Sequence, residues 1–232
     1  MTYAINLLSS FVNIFAAPSH AFRNLNQQRL SAWLPLVTLV AAWVLVWSWY
    51  YRSVDFTWLV NHIIQLEGYT DEAQIKAVSA VKPGALIVIA VMSVVLVLMA
   101  VTSIMSLYLV VVSAIVDDPY RLRHWFSFAV WGSLPSLASI IAMVSNFVLA
   151  ADQRIGPEQL NPLTFNNLFF HLAAASPFKR LLDSVDIPML WSWAVMVIGY
   201  REWTRRSWLS SAVTILAPPA LVYGIWIVLI VI

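Results

Sequence analysis

The sequence predicts an all-α membrane protein, a bundle of five transmembrane helices preceded by a short amphipathic helix. Three observations carry this. The stretch from Pro83 to Val116 is 34 residues without a charge, and about 20 apolar residues in helical form cross a hydrocarbon core. The 232 residues are 61% hydrophobic and only 10% charged, against about 25% charged in soluble domains, so polar groups cannot cover the surface. Tryptophan and tyrosine number 12 and 8, and Trp33, Tyr50, Tyr51, Trp58, Trp125, Tyr200, Trp203 and Trp208 stand beside the apolar runs, where interfacial belts are expected.

The first segment, residues 1–31, opens on a short amphipathic helix from Ala4 to Phe15. Asn6, Ser9, Ser10 and Asn13 recur at helical spacing on one face, and Ile5, Leu8, Phe11, Val12 and Phe15 on the other. It is too short to span and lacks the basic start of a signal peptide. The pattern fits best an interfacial helix lying in the headgroup plane, with a helix packed against the bundle as the alternative.

The transmembrane domain, residues 32–232, has spans at about 32–51, 83–116, 125–151, 181–200 and 207–232. The first lies between Arg29 and Arg52. After it, Thr70-Asp71-Glu72 marks a helix start and Lys82-Pro83-Gly84 a helix end. Along the second, Ser93, Thr102, Ser103, Ser106 and Ser113 are small enough for close helix approach. Asp118 and Pro119 suit the cap and first turn of the helix that follows. Pro135 should kink the third span, and Pro218-Pro219 should bend or break the fifth. The fourth has an uncharged core, Ile187 to Tyr200, of only ~21 Å. It must start near Leu181 to cross, which places Asp183 and Asp186 within or at the edge of the apolar zone.

Seven of the 13 basic residues fall before span one, after span two and after span four. The positive-inside rule then makes the N-terminus cytoplasmic and the C-terminus external. Arg121, Arg123, Arg201, Arg205 and Arg206 would form a cytoplasmic basic rim able to attract anionic lipid headgroups. These residues do not gather into a nucleic-acid stripe, so the bilayer and unidentified proteins are the expected partners. The sequence leaves the oligomeric state open.

Three stretches resemble the YIP family, five-span membrane proteins named for eukaryotic relatives that interact with Ypt/Rab GTPases. Phe15, Pro18, Ala21 and Phe22 are similar to the F-x-x-P-x-x-A-F entry of bacterial members. Phe126 to Pro135 is similar to the family's aromatic stretch and mid-helix proline. Asp186, Trp191 and Gly199 are similar to the Asp, Trp and Gly of its fourth span. The acidic N-terminal region and Asp-Leu-Tyr-Gly-Pro motif of eukaryotic members are absent from this sequence, so Rab binding does not carry over. The resemblance implies a bacterial-type inner-membrane protein.

Intramembrane carboxylates are costly and raise a functional hypothesis by default, so Asp183 and Asp186 are the candidate functional acids. Arg52, Lys82, Arg154, Lys179 and Arg180 are their available partners, and Lys179 sits at helical spacing from Asp183. Asp186 reads equally as a residue near the helix start. No catalytic residues are expected: G-x-S-x-G, P-loop, H-E-x-x-H and G-x-G-x-x-G patterns are all missing. No cofactor or metal is expected either, since cysteine is absent and His20, His62, His124 and His171 form no i, i+4 pair. Two functions follow: a non-enzymatic YIP-like protein that organises or scaffolds the envelope, or a small transporter or channel for an ion, proton or lipid that uses the acids of the fourth span.

Overall fold

The computed structural model describes residues 2–28, 31–150 and 152–232, with side chains from residue 7 onward. Ile5, Asn6, Arg29 and Ala151, named above as face, flank and end residues, lie outside the described side chains or residues. The elements are α1 (Thr2–Ala16), α2 (Pro18–Gln28), α3 (Trp33–Ser53), α4 (Phe56–Glu67), α5 (Glu72–Ser79), α6 (Pro83–Val116), α7 (Leu122–Gly132), a 3-10 turn (Leu134–Ser136), α8 (Leu137–Leu149), α9 (Pro157–Leu160), a π-helical turn (Asn166–Phe170), α10 (Lys179–Asp183), α11 (Ile187–Thr204) and α12 (Trp208–Val231). The described residues contain no strand, only an isolated bridge between Thr164 and Asp186.

Among the described residues four stretches are long and apolar enough to cross a membrane: α3, α6, the run Leu122–Leu149, and α12. Pro135, expected to kink that run, sits in a 3-10 turn that divides it into two helices, and both Leu134 and Pro135 are buried there. The fourth expected span is corrected at its start. Its helix, α11, has 18 residues and begins at Ile187, not near Leu181. The residues before it divide into α10 and an extended piece. There Phe165 N–H donates to Val185 O at 2.8 Å and Ile187 N–H to Leu163 O at 3.2 Å. These bonds take the backbone off the helical path, and Pro188 fits the first turn that follows.

The Pro218-Pro219 pair does not break α12, which is one helix of 24 residues. The prolines remove two adjacent ladder bonds, but their fixed φ is helical, and the bonds on either side carry the helix across.

The chain forms two compact units. One comprises Met1–Leu39, Val97–Ser136 and Pro188–Ile232; the other comprises Val40–Leu96 and Leu137–Ile187. The first is built on aromatics. Trp125, Phe128, Trp131, Phe22, Tyr200 and Trp203 are buried. Trp125 Nε1–H donates to Ser113 Oγ at 2.8 Å, and Trp203 Nε1–H to the Phe22 carbonyl at 2.8 Å. Partners for the indole N–H make such burial affordable. The belt expectation is therefore corrected for Trp125, Tyr200 and Trp203 here and for Tyr50 and Tyr51 in the other unit, which are core residues. Trp33 and Trp208 remain exposed. On α6 the buried residues are Thr102, Met105, Ser106, Leu109 and Ser113. They form one stripe at helical spacing; the Thr102 and Ser106 hydroxyls bond back to the carbonyls of Leu98 and Thr102, while Ser93 is exposed.

α1 lies against α7 and the 3-10 turn. Ile14 and Ser10 are buried, Phe11 meets Trp131, and Phe15 meets Trp191 edge-on at 5.6 Å. Leu8 and Val12, each 64% exposed, point away. Burying Ser10 with Ile14 turns part of the expected polar face inward.

The second unit has a core of Val46, Tyr50, Leu59, Ile140, Met143, Phe147 and Leu160 among others. Tyr50 O–H donates to Ile155 O at 2.7 Å. Asp71 caps α5 by accepting from Ala73 N–H, at the start read from sequence. Asp55 caps α4, accepting from Trp58 N–H at 3.1 Å, and pairs with Arg154 at 3.0 Å. The cap N–H and then the guanidinium hold this carboxyl below its ordinary 3.8. A depressed acid contributes stability above its unfolded pKa and loses it as pH falls through the lower folded value. The apparent Tm in detergent should therefore drop as pH falls below about 4. Asp55→Asn, which keeps a cap acceptor, should shallow that acid limb; an unchanged limb would remove Asp55 from its cause.

Candidate functional site

Both candidate acids stand before α11, not inside it. Asp183 ends α10. Its Oδ2 accepts from Lys179 Nζ at 2.6 Å and its Oδ1 from Asn166 Nδ2 at 2.8 Å. The Lys179 partner is the local pair that the spacing suggests, while Arg180 turns to Glu67 at 3.5 Å. Asp186 Oδ2 accepts from Ser139 Oγ at 2.6 Å and from Asn161 Nδ2 at 2.8 Å. Ser139 is buried on α8. Asp186 thus clasps three parts of one unit: α8, the segment after α9 and the start of α11. The chemistry on display is hydrogen-bond acceptance by a carboxylate. Ser139 and Asn161 were not singled out from sequence, because a serine 47 residues and an asparagine 25 residues from the acid give no local signal.

The family-motif positions other than Asp186 lie in the other unit. Phe15 contacts Trp191. Phe22 is fully buried between Phe128, at 4.9 Å between ring centroids, and Trp203, at 6.3 Å. Its ring lies on Gly199 so closely that a Cβ there would stand 2.5 Å from Phe22 Cδ2. Pro18 starts α2, which delivers Phe22 to this place. Pro135 is buried in the 3-10 turn. Two motif stretches, with Phe22 and Gly199 177 residues apart in sequence, are therefore halves of one packed contact.

The expected basic rim is partly spent within the protein. Arg201 lies 4.5 Å over the Trp208 ring, Arg205 is 3.4 Å from Glu202, and Arg206 is 3.6 Å from Asp118. Arg121 and Arg123 are exposed. Asp118 does not cap α7. Arg121 occupies the cap position, and His124 Nδ1 accepts its N–H at 3.0 Å. Sequence reading missed Glu202, which is buried and held by Arg23 at 2.9 Å. Arg23 follows the Phe15–Phe22 motif directly, and an acid flanked by arginines was the available signal. Glu202 holds the Arg23 guanidinium above its ordinary value, mainly through that hydrogen bond. Tyr120 O–H adds a bond to Trp203 O at 2.9 Å.

Of the histidines, His62 pairs with Glu158 at 2.8 Å and stacks on Trp58. Among the described residues no group of three or more His, Cys, Asp or Glu is placed to hold a metal ion.

Compared with known proteins, residues 12–230 match the family described as the Yip1 domain. No curated protein and no solved structure matches the chain.

Proposed function

This chain belongs to the Yip1 domain family and is an integral membrane protein; from that premise we propose that it is a non-enzymatic organiser or scaffold of the membrane, not a conduit. The observation that supports this reading is the clasp. Asp183 and Asp186, the acids a transporter of this sequence would use, are engaged by Lys179, Asn166, Ser139 and Asn161 in bonds that tie segments together. In this reading α11, about 27 Å long at helical rise, is the fourth of five membrane helices in chain order. The N-terminus is cytoplasmic in a bacterial inner membrane, following the distribution of arginines. Exposed Arg121 and Arg123 offer charge to anionic lipids, at about 1 kcal/mol each near the surface. Protein partners act on the basic rim and the loops, not on the acids.

The purified protein, reconstituted in vesicles under an imposed pH or sodium gradient, tests this. Flux equal to that of empty vesicles, and unchanged in Asp186→Asn, is the expected result. Flux above that of empty vesicles that is lost in Asp186→Asn would replace the scaffold with a transporter.

A further inference from the structure

We infer that residues 157–186, which link α8 to α11, form a re-entrant element at bilayer depth whose Leu168-Phe169-Phe170 tip faces lipid acyl chains. The depth follows from α8. Ser139, which bonds Asp186, lies ten residues before Leu149, the end of α8, or about 15 Å at helical rise. Leu160 is fully buried in the same apolar cluster as Ile140, Met143 and Phe147. The segment therefore runs back beside α8 instead of extending past its end. The outward face of α8 is apolar to its last turn, with Ile141 67% and Leu149 83% exposed. Hydrocarbon that covers this face also surrounds what packs at its level.

Irregular backbone at that depth persists only if its polar groups find protein partners. The asparagines supply them. Asn146 Nδ2–H donates to the carbonyls of Gln159 and Leu160 at 3.0 and 3.1 Å. Asn167 Nδ2–H donates to those of Glu158 and Asn161 at 3.0 and 2.9 Å. Asn166 Oδ1 accepts from Leu172 N–H at 2.9 Å. Water would satisfy the same groups in an aqueous loop, with no need for side chains committed to them.

Beyond this polar mount the chain is apolar. Residues 167–178 carry no Lys, Arg, Asp or Glu, and Phe169 and Phe170 are 60% and 54% exposed. The π-helical turn that presents them is closed by His171 N–H donating to Asn166 O at 2.7 Å. Charge resumes only at Lys179, which is held by Asp183, and at Arg180, whose exposed guanidinium suits a lipid phosphate. Acyl chains below and phosphates above are the arrangement that a tip of this composition recognises.

The chain contains no cysteine, so single cysteines report without background. Phe169→Cys, Ala173→Cys, Ile141→Cys and Glu72→Cys would each be spin-labelled and reconstituted in phosphatidylcholine–phosphatidylglycerol vesicles. Collision with oxygen and with a nickel chelate is then read by electron paramagnetic resonance. The labels at 169 and 173 should be oxygen-rich with nickel accessibility lost, as at 141 on α8. Nickel accessibility like that at 72, on the wholly unburied α5, would overturn the inference. Ala173 is small and exposed, so Ala173→Cys decides the question alone should Phe169→Cys fail to fold.

Discussion

Phe22→Ala should destabilise the protein by about 3–5 kcal/mol, the range for emptying a buried aromatic site. The ring is fully buried, and its neighbours, Phe128, Trp203 and Gly199, come from α7 and α11. They cannot all collapse into the space, because Trp203 is also fixed by its bond to the Phe22 carbonyl, which the substitution leaves in place. Gly199→Ala should cost about 1–3 kcal/mol by overpacking, since the added Cβ meets the Phe22 ring at 2.5 Å. The two effects oppose each other sterically. The double variant should therefore be more stable than the sum of the singles requires, a coupling of about 0.5–3 kcal/mol for residues in contact. Gly224→Ala, where nothing lies within 4 Å, should be near neutral and serves as the control. Thermal or denaturant unfolding in detergent, followed by tryptophan fluorescence, measures all four variants. Strict additivity of Phe22→Ala and Gly199→Ala would mean that the contact does not hold the two motif stretches together.

Asp186→Ala is expected to be the most damaging change in the other unit, at about 1–3 kcal/mol for leaving a buried partner unsatisfied. Ser139 is buried, and its hydroxyl donates to the same carboxylate oxygen as Asn161. Asp186→Asn presents an oxygen at that position and should recover most of the loss, to within about 1 kcal/mol of the parent. The comparison separates acceptor from charge. If Asn is as damaging as Ala, the negative charge itself is required, and the clasp gives way to an ionic role for Asp186. Hydrogen exchange over residues 157–187 provides a second readout, because only loss of the clasp should release the protection of that segment while α12 keeps its own.

Much of this architecture is written locally. The charge-free run of α6, its boundaries at Pro83 and Val116, the kink at Pro135 and the cap at Asp71 all depend on residues within a turn or two of each other. Transfer of an apolar window to lipid and satisfaction of its own backbone as a helix are properties of that window alone, so composition and spacing suffice to read them. The family resemblance was legible for a similar reason, because each motif is a contiguous stretch.

What escaped that reading depends on partners distant in the chain. Trp125 and Trp203 go inward because Ser113 and the Phe22 carbonyl accept their indole protons. α11 starts at Ile187 because Leu163, Ser139 and Asn161 hold the preceding backbone and carboxylate away from the helix. The three asparagines of the α8–α11 link, and Asn146 of α8, look like solvent-exposed residues in a sequence. In the structure Asn146, Asn161, Asn166 and Asn167 instead pair with backbone or carboxylate groups. A residue's polarity is local, but the group that satisfies it is supplied by the fold. Helix identity was thus settled within windows of the chain, and the roles of its polar residues by long-range hydrogen bonds.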